Sequence, residues 1–144
     1  MKYEKELFSK RYGHHEWVTT VAHLHNGRII SGGMDSALCF WDSKGVRCDT
    51  LLGHEGSITK VLTDDNLIAI SASYDATLII WYMHFNDQRN LGNLEEARKL
   101  YGPHKDAILD FDWNNSLAVS GDKTGTVAFW DINEGVPVFS KKVY

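Results

Sequence analysis

Apolar and polar residues along this chain alternate in short runs, and the runs repeat. β-Branched and aromatic residues cluster over Trp17–His23, Arg28–Gly33, Ala37–Asp42 and Val46–Leu52, separated by turn residues that include Asn26-Gly27 and Ser43-Lys44-Gly45. Strand-sized runs bounded by such residues predict antiparallel strands and not helices. Asn-Gly is the favoured two-residue hairpin connection. The same order recurs twice. Asp64-Asp65-Asn66 and Asn114-Asn115 supply the first turn of the second and third units, and Asn133-Glu134-Gly135 the last turn of the third. The prediction is an all-β chain of three four-stranded antiparallel units.

One block marks each unit. It runs Ser31-Gly32-Gly33-Met34-Asp35 to Phe40-Trp41-Asp42, then Ser71-Ala72-Ser73-Tyr74-Asp75 to Ile80-Trp81-Tyr82, then Ser120-Gly121-Asp122-Lys123-Thr124 to Phe129-Trp130-Asp131. Gly13-His14, Gly53-His54 and the stretched Gly102-Pro103-His104 precede the blocks, with His-to-Trp spacings of 27, 27 and 26 residues. Trp41 to Trp81 is 40 residues and Trp81 to Trp130 is 49, which puts an insertion in the second unit, over Phe85–Arg98. Within it, Asn86–Asn90 is expected as a polar loop and Leu94-Glu95-Glu96-Ala97-Arg98 as a single helical turn. The repeats span about 13–52, 53–101 and 102–144 of one domain, with residues 1–12 as an extra outer strand.

Gly-His, a Ser in the second strand, an Asp in the following turn and Trp-Asp closing the third strand resemble the WD-repeat β-propeller family over nearly the whole chain. The resemblance implies four-stranded blades, each holding a buried hydrogen-bonded set of side chains. Carried over by position, the sets are His14, Ser31, Asp35 and Trp41, then His54, Ser71, Asp75 and Trp81, then His104, Ser120 and Trp130. The third departs from the pattern because Thr124 stands at the Asp position and Pro103 interrupts Gly-His. The acceptor for His104 is therefore expected to be missing and the third blade looser. The resemblance also implies that partner peptides dock at the narrow end of the ring, where Trp17, Met34, Ser57, Tyr74, Ala107 and Lys123 fall. Trp17 and Tyr74 are the aromatic anchors of that face, with burial of Trp17 under its loop left open as a second reading.

Propellers close with roughly 4–8 blades, and three leave both end blades with open apolar faces on the order of several hundred Å². Leu7-Phe8-Ser9-Lys10-Arg11-Tyr12 takes the place of a fourth strand before the first Gly-His, much as Val138–Tyr144 does at the other end. Two copies associating head to tail would make a six-bladed ring, a homodimer. The alternative is a fragment whose missing blades come from another segment or from a different propeller chain, which it completes as a structural subunit.

Composition narrows the function. The 144 residues are 43% apolar and 12% aromatic, with 2 Pro and 12 Gly, as in a folded globular domain. Fifteen Lys and Arg against 19 Asp and Glu leave a net charge of -4, so no general positive field favours nucleic acid. No apolar run reaches the roughly 18 residues of a membrane helix, and neither a secretory leader nor a disulfide framework is evident, which predicts a cytoplasmic or nuclear protein.

Ser, His and Asp together invite a hydrolase reading. A nucleophilic serine needs an exposed strained turn and an oxyanion hole, and no Gly-x-Ser-x-Gly is present. Three copies at matching spacing are what a structural repeat produces. His23 and His25 form a sparse His-x-His, and Cys39 and Cys48 lack ligand spacing. No catalytic residue, cofactor or metal is expected. The expected function is a non-enzymatic scaffold for protein partners.

Overall fold

The computed structural model describes residues 13–24, 27–44, 48–64, 68–86 and 91–143. Among them are twelve strands: β1 (Val18–His23), β2 (Ile29–Gly33), β3 (Leu38–Trp41), β4 (Cys48–Leu51), β5 (Ile58–Thr63), β6 (Ile68–Ser73), β7 (Leu78–Asn86), β8 (Leu91–Leu100), β9 (Ile108–Asn114), β10 (Leu117–Asp122), β11 (Thr126–Asp131) and β12 (Val136–Lys142). They form three four-stranded antiparallel sheets, β1 to β4, β5 to β8 and β9 to β12, each ordered as in the sequence. The repeated serines sit at one register position. Ser31 lies between Val21 and Cys39, Ser71 between Val61 and Ile79, and Ser120 between Phe111 and Ala128.

Period-2 alternation decides which side chain meets which neighbouring sheet. On β7, Ile79, Trp81 and Met83 share a buried cluster with Ile30, Leu38, Phe40 and Leu51 of the first sheet. Leu78 and Ile80, on the opposite face, share a second cluster with Ile108, Phe111, Ala118 and Trp130 of the third. The central sheet is thus covered on both sides. Where the first two sheets meet, a Cβ at Gly32 would lie 2.5 Å from Ile58 Cγ2, so only glycine admits the approach of Ile58.

The inner strands β1, β5 and β9 are also joined by polar bonds. Thr19 Oγ1 donates to the Ile58 carbonyl, and Thr59 Oγ1 donates to the Ile108 carbonyl at 2.8 Å. Val61 N–H donates to Thr20 Oγ1 at 3.1 Å, and Lys60 pairs with Asp110 at 2.9 Å. Each inner strand has a register shift near its start, between Val18 and Thr20, between Ile58 and Lys60, and opposite Gly121 and Asp122. Such a bulge re-aims one side chain out of the alternation, and it falls at Thr19, Thr59 and Leu109.

One expectation changes here. Leu94–Arg98 is not a helical turn. β8 runs through it, pairing with β7 from Leu78↔Leu100 to Asn86↔Leu91 with one register shift between Tyr82 and Met83. An isolated five-residue helix is below the length that repays nucleation, whereas a longer ladder pairs the same backbone groups. The insertion therefore lengthens the third and fourth strands of the second blade into a ribbon. Residues 87–90 of the expected polar loop lie outside the described residues, as do the expected strand Leu7–Tyr12 and His25 of the His-x-His.

Candidate functional site

Each sheet carries one relay of buried side chains. In the first, His14 Nδ1 lies 3.0 Å from Asp35 Oδ1 and its Nε2 2.8 Å from Ser31 Oγ, while Trp41 Nε1–H donates to the same Oγ at 2.9 Å. In the second, His54 stands 3.0 Å from Asp75 and 2.7 Å from Ser71, which accepts from Trp81 at 2.8 Å. A serine hydroxyl has one proton to give. With the oxygen accepting from indole and the O–H donating to Nε2, the remaining imidazole proton sits on Nδ1 and points at the carboxylate. All donors are then matched. Among the described residues no buried side-chain nitrogen or oxygen lacks a partner.

The third relay corrects the sequence reading. His104 Nε2 is 2.6 Å from Ser120 Oγ, Trp130 Nε1–H donates to that oxygen at 2.7 Å, and His104 Nδ1 is 2.7 Å from Oδ2 of Asp122. The acceptor is present, two residues ahead of Asp35 and Asp75 in the aligned block. Space explains the substitution. A Cβ built on Gly33, the counterpart of Asp122, would lie 2.7 Å from His14 Nδ1 and 2.8 Å from Asp35 Oδ1. A side chain at this position therefore reaches the same point from the strand that Asp35 reaches from the turn. The sequence signal was a three-residue unit. In Asp75-Ala76-Thr77 the Thr77 hydroxyl donates to Asp75 at 2.6 Å, and in Asp122-Lys123-Thr124 the Thr124 hydroxyl donates to Asp122 at 2.7 Å.

Burial alone would raise all three carboxyls, but hydrogen bonds outweigh it and hold each below the ordinary carboxylate range. For Asp35 the donors are the His15 backbone and His14; for Asp75, His54, Thr77 and the Glu55 backbone; for Asp122, His104, Thr124 and the Thr126 backbone. The glycine before each histidine seats the indole. An added Cβ would lie 3.3 Å from the ring of Trp41 at Gly13, 3.1 Å from Trp81 at Gly53 and 2.2 Å from Trp130 at Gly102.

At one end of the blades three backbone bonds repeat. Met34 N–H donates to Trp17 O at 2.8 Å, Tyr74 N–H to Ser57 O at 2.9 Å and Lys123 N–H to Ala107 O at 2.9 Å. These are the six residues placed at the narrow end, brought together as three pairs. Trp17 is 77% exposed, Tyr74 51% and Met34 45%. Lys123 is exposed, with Nζ 5.9 Å from the Tyr74 ring centroid. Ser57 is half-buried and donates to Met34 O at 3.3 Å. Ala107 is a correction. It is only 1% exposed, because its methyl turns into the blade while its carbonyl holds the Lys123 turn. Beside these turns a cavity of about 390 Å³ is lined by Thr19, Met34, Ser57, Thr59, Tyr74 and Leu109 among others.

Comparison with known proteins agrees with this architecture. The family description "WD domain, G-beta repeat" matches residues 5–42 and 45–82, more than half of the chain. The small ribosomal subunit protein RACK1 of Drosophila melanogaster is 36% identical over 91 residues, covering 60% of this chain and 27% of that protein. The ribosome biogenesis protein WDR12 homolog of Ixodes scapularis is 29% identical over 124 residues, 81% of this chain and 28% of that protein. The chain thus spans little more than a quarter of the length of either. Among solved structures, the computationally designed protein Ika4 superposes with a TM-score of 0.75 at 25% identity, over 99% of this chain and 82% of that one.

Proposed function

Because the chain belongs to the WD-repeat family, we propose that it is a non-enzymatic scaffold that holds a protein partner against the Trp17, Met34, Tyr74 and Lys123 end of its blades. The observation that carries this reading is the exposure of those side chains on turns that backbone hydrogen bonds hold in place. Aromatic side chains and methionine, already fixed at the surface, give contact area at little entropic cost. Lys123 beside the Tyr74 ring adds a cation for a partner carboxylate. The same geometry argues against hydrolysis. In each relay both ring nitrogens of the histidine are engaged and the serine oxygen is shared with an indole, which leaves neither a free base nor a free nucleophile.

Capture of partners from lysate by the chain and by a Met34→Ala/Tyr74→Ala variant tests this. Loss of a specific set of proteins with the variant is expected; an unchanged set sinks the reading. The ribosomal and ribosome-biogenesis relatives are compatible with residence in cytoplasm or nucleus. A second reading, a structural subunit that completes a ring with further blades, is favoured by the exposed Val18 and Val21 of β1 and the partly exposed Val119 and Val127 of the third sheet. Those blades come either from another propeller chain or from a second copy of this one.

A further inference from the structure

The two internal joints between blades are built alike, as a knob in a socket. Ile58 of the second blade is fully buried and fills the space above Gly32 of the first. Ile108 of the third is likewise fully buried, in the cluster that holds Ala72, the counterpart of Gly32. Each joint thus has a β-branched knob at the start of an inner strand and a small residue on the second strand of the preceding blade.

Among the described residues one more of each stands unmatched. The counterpart of Ile58 and Ile108 in the first blade is Val18, which is 53% exposed. The counterpart of Gly32 and Ala72 in the third is Gly121, whose built Cβ has no neighbouring atom within 4 Å. A hollow of about 250 Å³ opens there, with Asp110, Val119, Gly121 and Val127 among its lining residues. Its walls repeat the walls of the filled sockets. Val119 and Val127 correspond to Ile30 and Leu38 and to Ile70 and Leu78, all four fully buried, yet both valines remain partly exposed.

We infer that the Gly121 hollow of one copy receives Val18 of a second copy, head to tail. This deepens the ring-completion reading above and rests on it. Valine is one methylene smaller than the internal isoleucine knobs and keeps their branched shape, so the occupant fits on volume and on backbone position alike. One internal feature is absent from the new joint. Thr19 and Thr59 donate across their joints, whereas the third blade has Leu109 at that position, which cannot. The joint between copies is therefore weaker than those within the chain, as suits an association that depends on concentration.

The test uses the full chain in four forms: unmodified, Val18→Cys, Gly121→Cys and Gly121→Trp. Neither cysteine substitution meets atoms of its own fold, since Val18 is exposed and Gly121 has open space. Light scattering on the unmodified chain is expected to give twice 16.3 kDa at high concentration. Under mild oxidation, a mixture of the two variants should form a cross-linked dimer, while each variant alone does not, because like positions do not meet head to tail. Gly121→Trp fills the hollow and should return the mass to one chain. A single-chain mass at every concentration overturns the inference, as does a dimer that cross-links within one variant or not at all in the mixture. Either result leaves the scaffold reading standing, because that reading is decided by the Met34 and Tyr74 variant.

Discussion

Asp122 Oδ2 lies 2.7 Å from His104 Nδ1, although Asp122 sits two residues ahead of the position that Asp35 and Asp75 hold in the other blades. One acceptor point in space is thus served by two sequence positions. Asp122→Ala leaves a fully buried imidazole N–H unsatisfied and is expected to cost about 1–3 kcal/mol. Thr124→Ala removes only a supporting donor and should cost about 1 kcal/mol or less. Urea unfolding of the two variants measures the difference, and equal losses would contradict the relay.

Glycine is demanded at 102 for a different reason. Gly102→Ala drives a Cβ to 2.2 Å from Trp130, and overpacking of this kind costs typically about 1–3 kcal/mol. Gly121→Ala meets nothing and reproduces the alanine at position 72, so its melting temperature should stay within a few degrees of the unmodified chain or rise slightly. Thermal melts followed by circular dichroism decide between them.

Acid should weaken the fold through the three relay carboxylates. Unfolded, they titrate near the ordinary value of about 3.9; folded, hydrogen bonds hold them lower despite the burial that opposes it. The unfolded chain therefore takes up protons first. The stabilisation is whole above about pH 5 and is lost as pH falls through the unfolded value toward the folded ones. The urea midpoint is expected to drop steadily from about pH 5 to pH 2, and Asp75→Asn should flatten that slope. A midpoint independent of pH over this range would be the contrary result.

The joint between the second and third blades contains a partly buried bond and a more exposed ion pair, which should differ in worth. Thr59→Val removes the donor to the Ile108 carbonyl while keeping the shape, and should cost about 1–2 kcal/mol. Lys60→Ala breaks a pair with the largely exposed Asp110, and such pairs contribute about 0–1 kcal/mol. Adding salt should shift the first variant's deficit little and shrink the second's.

Much of this was legible in the chain itself. The runs around Trp17–His23 and Arg28–Gly33 anticipated β1 and β2 to within a residue, because alternation and turn residues are local properties that pairing then uses. The insertion was misread because Leu94–Arg98 suits a helix by composition, and only its partner β7 makes it a strand. Ala107 was placed on the exposed end by its position in the repeat. Which side of a turn faces solvent depends on the blade beneath, and Ala107 faces inward.

The sequence by itself determined the number of blades, their strand order and the His, Ser and Trp of each relay, because these follow from a repeat whose spacing is written in the chain. The tertiary structure alone decided that Asp122 completes the third relay, that β7 buries both of its faces, and that Val18 is exposed while the space above Gly121 is open. Each of these depends on the distance between side chains from different strands or blades. Spacing along one chain does not encode that distance until the sheets have packed.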